Sequence, residues 1–322
     1  MKPHVSIIIP TYNEAQNVAS LFQQITNTPI KEPYEIIFVD DGSTDTTYQE
    51  LLKLHEKDPR VAILKFRRNF GQTAAMDAGI KHAHGNILVT LDADLQNDPA
   101  DIPKLVAKLN EGYDCVSGWR WNRKDPFSKK LFSRIANLIR NRIVQETLHD
   151  SGCSLKAYKK ECFDNLTLYG EMHRFIPTLL NYRGFKIAEV KVNHRQRTFG
   201  TTKYNATRIL KGLFDLLFIK FWNDYSARPI HFFGTVAVAQ WTLAILIFIE
   251  QVIKAILARI LVLGPLLIFS GILLITGMLT FFFGFMFEIL IRMYYQGKTT
   301  YSIENIHFSS SLLAHTKNER KT

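Results

Sequence analysis

The sequence predicts an α/β domain with a mainly parallel, three-layer sheet, followed by two transmembrane helices. In the first two thirds of the chain, short β-branched apolar runs alternate with helical stretches, a pattern that favours parallel strands joined by helices. Acidic residues follow two of these runs, and two much longer uncharged apolar runs occupy the last third. The chain therefore combines a sheet edge suited to ligand binding with a segment suited to a membrane.

Four predicted strands are β-branched and apolar, as strands covered on both faces should be: Val5–Ile9, Glu35–Val39, Val61–Leu64 and Ile87–Leu91. Two further strands are predicted at Tyr113–Ser117 and Phe185–Val192. The predicted helices are Glu14–Ile25, Thr44–His55, Gly71–His84 and Lys129–Gln145. Ser43 or Thr44 is expected to cap the second of these helices, because a hydroxyl oxygen can accept a hydrogen bond from the first turn.

Carboxylates are expected to gather at the carboxyl ends of two strands. The two motifs that carry them are Val39-Asp40-Asp41-Gly42-Ser43 and Leu91-Asp92-Ala93-Asp94-Leu95-Gln96. In extended geometry Asp92 and Asp94 point the same way, and two close carboxylates repel each other unless a cation lies between them. Carboxylate and amide oxygens suit Mg²⁺ or Mn²⁺. The spacing therefore predicts a divalent metal held by Asp92, Asp94 and Gln96, in a site that handles a nucleotide.

Two apolar runs are long enough to cross a bilayer. Ile230–Ile249 and Ile260–Phe287 contain 20 and 28 residues without Asp, Glu, Lys or Arg, and about 20 helical residues span a hydrocarbon core. We expect a two-helix hairpin over residues 229–291, with residues 1–204 and the tail 292–322 on the same side. Arg228 and Arg292 favour the cytoplasmic side, although Lys254 and Arg259 between the runs weaken that count.

Positive charge is concentrated before the first apolar run. Of the net charge of +11, residues 183–228 contribute ten Lys and Arg against three Asp and Glu. This position favours contact with anionic lipid, and residues 205–228 are predicted to form an interfacial amphipathic helix. A helix packed on the N-terminal domain is the alternative. The chain lacks the basic and aromatic motifs of a nucleic-acid binder, so nucleic acid is not an expected partner. The three cysteines lack ligand spacing and are expected to be reduced thiols.

Several motifs together resemble the family-2 inverting glycosyltransferases. They are Val5-Ser6-Ile7-Ile8-Ile9-Pro10-Thr11-Tyr12-Asn13-Glu14, the two acidic motifs, and Asn69-Phe70-Gly71-Gln72. Later segments narrow the likeness to the polyprenyl-phosphate glycosyltransferases, relatives of dolichyl-phosphate mannose synthase. These segments are Asp150-Ser151-Gly152-Cys153-Ser154-Leu155, Met172-His173-Arg174-Phe175-Ile176-Pro177 and Arg197-Thr198-Phe199-Gly200-Thr201-Thr202-Lys203-Tyr204.

The resemblance implies a glycosyltransferase A-type fold, a nucleotide-sugar donor, Mg²⁺ or Mn²⁺, and a polyprenyl-phosphate acceptor in the cytoplasmic leaflet. The residues that it implies for donor binding are Pro10, Tyr12, Glu14, Asp41, Asp92 and Ala93. Asp92, Asp94 and Gln96 match residues that surround the metal. The implied catalytic group comprises Asp150, Arg120, Arg134, Arg197 and Lys203, whose basic members would face the phosphates. The oligomeric state is left open, a homo-oligomer included.

Two alternatives and one question about mechanism accompany this interpretation. A processive polysaccharide synthase of the same fold is disfavoured because such proteins have more spans and a Gln-x-x-Arg-Trp motif. A non-catalytic membrane scaffold is disfavoured by the intact acidic residues. Asp150 could act as a base, but a phosphate acceptor is largely dianionic at pH 7, with a second pKa near 6. We therefore expect Asp150 to orient a basic residue or the acceptor.

Overall fold

The computed structural model describes most of the chain in two separate units. The described residues are 3–121, 148–150, 152–164, 166–168, 170–195, 228–259 and 264–295, with positions 214, 217, 218, 220–222, 224 and 225. The two compact units are Met1–Lys220 and Phe221–Thr322.

The first unit is built on a seven-stranded sheet. Its strands are β1 Val5–Thr11, β2 Tyr34–Asp40, β3 Val61–Lys65, β4 Ile87–Thr90, β5 Cys115–Arg120, β6 Lys156–Lys159 and β7 Ile187–Val192. They lie in the order β3-β2-β1-β4-β6-β5-β7. All neighbours are parallel except β6, which runs antiparallel to both β4 and β5. The predicted mainly parallel sheet is confirmed.

Helices cover both faces of this sheet and create two apolar cores. They are α1 Val18–Thr26, α2 Thr47–Lys57, α3 Gln72–His82, α4 Ile102–Asn110 and α5 Ile176–Tyr182. Buried residues of α1, α2 and α4 pack on one face, and buried residues of α3 and α5 pack on the other. The three-layer arrangement explains why the inner strands are apolar on both faces.

Some element boundaries differ from those predicted. The first helix begins at Val18 rather than Glu14, and Asn13 before it has a left-handed backbone with φ of 56°. The second helix begins at Thr47. The expected cap by Ser43 or Thr44 was wrong, because the residue before the helix is Thr46 and the hydroxyl oxygens of Ser43 and Thr44 accept hydrogen bonds from Asn13. The elements α4, α5 and β6 were not predicted, and Lys129–Gln145 lies outside the described residues.

The second unit contains two helices that are long and apolar enough to cross a membrane, judged by length and composition. These are α6 Pro229–Ala258 and α7 Pro265–Tyr295, so α7 ends beyond the predicted boundary at residue 291. They pack as an antiparallel pair: Trp241 Nε1 donates to the Leu274 carbonyl oxygen at 3.3 Å. A Cβ added at Gly284 would lie 2.5 Å from Cβ of Phe233. The glycine therefore allows the two backbones to approach closely.

Candidate functional site

A cavity of about 270 Å³ lies at the carboxyl ends of β1, β2 and β4. Its lining includes seven residues that were predicted from the sequence: Pro10, Tyr12, Glu14, Asp41, Asp92, Ala93 and Asp94. The other lining residues are Thr11, Asn69, Gly71, Gln72 and Ala75. The acidic residues that follow two separate strands thus meet around one space, as expected for the ligand-binding edge of an open α/β sheet.

Asp41 fixes the loop that precedes α3. Its buried carboxylate accepts hydrogen bonds from the backbone N–H groups of Phe70, at 2.7 Å, and Gly71, at 2.9 Å. Burial raises the pKa of Asp41 above its ordinary value, while these two hydrogen bonds act in the opposite direction. The neighbouring Gly42 has φ of 69°, and a Cβ there would lie 2.4 Å from the carbonyl carbon of Arg68. The β2 turn and the loop before α3 are therefore in direct contact.

The loops after β1 and β2 are joined through Asn13. Its backbone N–H donates to the Ser43 hydroxyl oxygen at 3.0 Å, and its side-chain oxygen accepts from the Thr44 N–H at 2.9 Å. The N–H of Glu14 donates to the Thr47 hydroxyl oxygen at 2.9 Å. These contacts hold the segment that carries Tyr12 and Glu14 against the start of α2. The rim of the cavity is therefore ordered by hydrogen bonds within the described residues.

Asp92 and Asp94 lie on the turn that follows β4. Asp92 Oδ1 accepts a hydrogen bond from Gln72 Nε2 at 2.8 Å, which connects this turn to the first residue of α3. Asp94 Oδ1 accepts from the backbone N–H of Gln96 at 3.1 Å. The intervening Leu95 has a left-handed φ of 61°, a costly conformation for a branched residue. This turn is held in an unusual shape that presents two carboxylates to the cavity.

The negative charge of Asp94 acts on the carboxyl group of Asp92. Burial, followed by the negative charge of Asp94, raises the pKa of Asp92 from 3.8 to about 6. A hydrogen bond with Ser154 and the positive charges of Lys156 and Arg120 act in the opposite direction. A cation at the cavity would relieve the repulsion between Asp92 and Asp94, so these residues fit a divalent metal.

The donor set also limits which kind of metal site can form. Among the described residues there is no cluster of three or more His, Cys, Asp or Glu side chains that could hold an ion. Mg²⁺ needs only one or two carboxylates when water and substrate phosphates complete its shell. Gln96 is not among the described residues that line the cavity. It contacts Asp94 through its backbone N–H.

Arg120 and Asp150 form a bidentate ion pair in which Asp150 is buried and Arg120 is half-buried. Arg120 Nε donates to Asp150 Oδ2 at 2.6 Å and Nη2 donates to Oδ1 at 2.8 Å. The backbone N–H of Asp150 donates to Glu189 Oε1 at 3.0 Å, so this residue is held from both sides. Neither residue of the pair is among the described residues that line the cavity. The remaining predicted basic residues, Arg134, Arg197 and Lys203, lie outside the described residues.

Three residues near the acidic turn were not assigned a role from the sequence. Gln72 and Ser154 hydrogen-bond to Asp92, and Lys156 acts on it through its charge. Gln72 and Ser154 belong to motifs that supported the resemblance, which was the available signal. Lys156 follows those motifs in a segment without strand-like character, so nothing in the local pattern indicated a buried lysine.

Comparison with known proteins agrees with this fold. The mainly parallel sheet with acidic turns at its carboxyl edge has a glycosyltransferase A-type fold. Glucosyl-3-phosphoglycerate synthase from Mycobacterium tuberculosis, solved with Mn²⁺ and uridine-diphosphate-glucose, is similar with a TM-score of 0.53. That match covers 68% of this chain and 79% of the synthase, at 18% sequence identity. At this identity the likeness shows the fold alone.

Sequence comparison defines the family. Residues 6–167 match the family described as "Glycosyl transferase family 2". A dodecaprenyl-phosphate galacturonate synthase from Rhizobium johnstonii is 39% identical over 300 residues, covering 91% of this chain and 89% of that protein. An undecaprenyl-phosphate 4-deoxy-4-formamido-L-arabinose transferase from Salmonella choleraesuis is 34% identical over 287 residues, covering 88% and 84%. The chain belongs to glycosyl transferase family 2, and these relatives are polyprenyl-phosphate glycosyltransferases.

Proposed function

We propose that this protein transfers a sugar from a nucleotide-sugar donor to a polyprenyl phosphate, with inversion, at the cytoplasmic face of a membrane. The observation that carries the proposal is the meeting of Asp41, Asp92 and Asp94 around one cavity in a chain that matches its relatives over nearly its full length. The two named relatives act on dodecaprenyl and undecaprenyl phosphate, and a similar fold binds uridine-diphosphate-glucose.

The donor is assigned to the cavity. Tyr12 and Asp41 line it beside β1 and β2, where a base and a ribose can lie against a ring and a carboxylate. Asp92 and Asp94 line it beside β4, where the diphosphate would lie. In this arrangement the negatively charged diphosphate lies next to the carboxylates of Asp92 and Asp94. A positive charge is therefore required between the diphosphate and the carboxylates.

Asp92 and Asp94 would hold Mg²⁺ or Mn²⁺ together with the donor diphosphate. When bound, the metal neutralises negative charge that develops on the departing diphosphate. Gln72 orients Asp92 through a hydrogen bond of 2.8 Å, and the backbone of Gln96 orients Asp94. Such contacts fix the carboxylates before the substrate arrives, which is how a site avoids reorganisation during the reaction.

The acceptor requires no strong base. A phosphate oxygen of the lipid attacks the anomeric carbon, the bond from that carbon to the diphosphate oxygen breaks, and the nucleoside diphosphate leaves. Because the second pKa of a phosphate monoester is near 6, the attacking oxygen is already ionised at pH 7. Asp150 therefore serves to position Arg120. The two carboxylate oxygens of Asp150 each accept a hydrogen bond from the Arg120 guanidinium group.

The membrane helices keep the enzyme at the surface where its acceptor lies. The tail of a polyprenyl phosphate is apolar, so its phosphate is confined to the bilayer interface. Helices α6 and α7 have the length and composition of two spans, which would leave residues 1–204 and 292–322 on the same side of the membrane. Arg228, next to the first span, favours the cytoplasmic side for both.

A transfer assay tests the proposal directly. The full-length protein in detergent is incubated with labelled nucleotide sugars, undecaprenyl phosphate and Mn²⁺ or Mg²⁺, and the organic phase is extracted. We expect label in the lipid with at least one donor, and its loss on chelation or in Asp94→Asn. A membrane scaffold would give no labelled lipid with any donor, and that result would overturn the proposed function.

A further inference from the structure

Lys156 is a buried cation in the middle of the sheet. It is the first residue of β6, paired with Thr90 of β4 on one side and Ser117 of β5 on the other. Only 3% of the residue is exposed, and burial lowers the pKa of its ammonium group below the ordinary value. Because burying a charge is costly, a lysine at this position requires compensating contacts.

One compensating contact lies in the turn formed by residues 153–156. The Lys156 ammonium group donates to the carbonyl oxygen of Cys153 within this turn. Ser154 accepts two hydrogen bonds. Its carbonyl oxygen accepts from the Thr90 hydroxyl at 2.8 Å, and the Ser154 hydroxyl oxygen accepts from Asn97 Nδ2 at 2.6 Å. Ser154 also hydrogen-bonds to Asp92. Lys156 thus stabilises a turn that directly contacts the predicted metal-binding carboxylate.

Lys156 also acts on the acidic residues through its charge. It is attracted by Asp150 and repelled by Arg120, and it favours the ionised form of Asp92. We call the charged groups of Asp92, Asp94, Asp150, Arg120 and Lys156 the charged cluster. Its three carboxylates supply three negative charges. Arg120 and Lys156 supply two positive charges, which leaves a net charge of −1. Without Lys156 the same cluster would carry −2.

We propose that Lys156 is a positioning residue that tunes the site toward the metal–diphosphate complex and away from the free metal. This inference rests on the proposed function. A positive charge near the carboxylates repels a bare divalent cation and attracts a diphosphate, which carries the opposite charge. The hydrogen bond to the Cys153 carbonyl oxygen holds the Lys156 ammonium group in place. The ammonium group therefore requires no rearrangement when the diphosphate binds.

The test measures two affinities that should change in opposite directions. Full-length wild type, Lys156→Met, Lys156→Gln and Lys156→Arg are titrated in detergent with Mn²⁺ alone at pH 8, well above the Asp92 pKa of about 6, so that protonation of Asp92 does not decide the result. Each is then titrated at saturating Mn²⁺ with UDP or GDP, whichever the wild type binds. We expect both neutral variants to bind Mn²⁺ about threefold or more tighter and the nucleotide about threefold or more weaker. Lys156→Arg should restore both affinities to within about twofold of wild type.

Other outcomes separate the two proposals. If Lys156→Met and Lys156→Gln weaken or leave unchanged the affinity for Mn²⁺ alone, the charge role is wrong and Lys156 only supports the turn. Thermal unfolding identifies a variant that fails to fold, and Lys156→Gln, which keeps a hydrogen-bond donor for Cys153, then decides the matter. A wild-type protein that binds neither nucleotide in the presence of Mn²⁺ and makes no labelled lipid would instead overturn the proposed function.

Discussion

Asp150 holds Arg120 by both carboxylate oxygens, at 2.6 Å from Nε and 2.8 Å from Nη2. Both oxygens of such a carboxylate already accept hydrogen bonds from a guanidinium group, so they are poorly placed to take a proton from a substrate. The two residues are separated by 30 positions in the sequence. Arg120 is the last residue of β5, and Asp150 lies shortly before β6. This geometry favours a positioning role for Asp150 over a role as base.

The first prediction concerns the pH dependence of Asp150→Asn. We expect turnover to fall by about 10- to 100-fold and the loss to stay constant from pH 6 to 8.5, because the misplaced group is Arg120, which remains charged throughout. A base role predicts a loss that disappears as pH rises above the second phosphate pKa near 6. Arg120→Lys is the matched variant: it keeps the charge, lacks the bidentate fork and should show a similar, pH-independent loss.

The second prediction concerns Mn²⁺ binding below neutral pH. The pKa of Asp92 is raised from 3.8 to about 6, first by burial and then by Asp94, so the metal-free protein keeps a proton that an ordinary aspartate would lose. Because the metal needs the ionised carboxylate, its apparent affinity should fall about tenfold per pH unit below 6 and stay level above 7. Calorimetric titrations from pH 5 to 8 measure this.

A control variant separates the two causes of that pKa shift. Asp94→Asn removes the neighbouring charge but leaves Asp92 half-buried, so the midpoint of the affinity loss should move to lower pH without returning to 3.8. The overall affinity for Mn²⁺ should fall at every pH, since one ligand is lost. An affinity that is independent of pH between 5 and 7 would contradict the placement of Asp92 next to the metal.

The cavity was largely predictable because parallel strands make the sequence simple to interpret. Strands covered on both faces are continuously apolar, so their ends are visible, and polar residues just after them must lie at one edge. The pattern of strand ends alone therefore predicts that Asp41, Asp92 and Asp94 lie close together. The hypothesis that Asp150 orients a basic residue also follows from chemistry, but the choice of Arg120 as its partner depends on tertiary packing.

The rest was not predictable because it depends on pairing between distant segments. The strand β6 reads Lys156-Ala157-Tyr158-Lys159, with no β-branched residue and a lysine at each end. It becomes a strand because β4 and β5 supply partners on both sides. Likewise, Ser43 and Thr44 had the chemistry of helix caps, but α2 begins only at Thr47 and their hydroxyl oxygens accept hydrogen bonds from Asn13 of another loop.

The third prediction compares two glycines with positive φ. At Gly42, φ is 69° and an added Cβ would lie 2.4 Å from the carbonyl carbon of Arg68; at Gly112, φ is 104° and nothing lies within 4 Å. Gly112→Ala should therefore cost only backbone strain, about 1–2 kcal/mol. Gly42→Ala adds steric overlap, for a total of about 2–4 kcal/mol.

Thermal unfolding of the full chain in detergent measures this difference. Gly42→Ala should have the lower Tm and should also weaken nucleotide binding, since the turn it distorts carries Asp41. Gly112→Ala should bind nucleotide as the wild type does. Equal Tm values for the two variants would show that the close contact between Gly42 and Arg68 does not affect the stability of the protein.

The fourth prediction concerns the packing of α6 against α7. A Cβ at Gly284 would lie 2.5 Å from Cβ of Phe233, whereas a Cβ at Gly271 on the same helix would meet nothing within 4 Å. Small residues allow membrane helices to approach closely, so Gly284→Ala should force the helices apart and lower the Tm of the detergent-solubilised protein. Gly271→Ala is the matched control and should leave the Tm unchanged or raise it slightly, because alanine has the higher helix propensity. Equal effects of the two substitutions would mean that the close approach at Phe233 does not stabilise the pair.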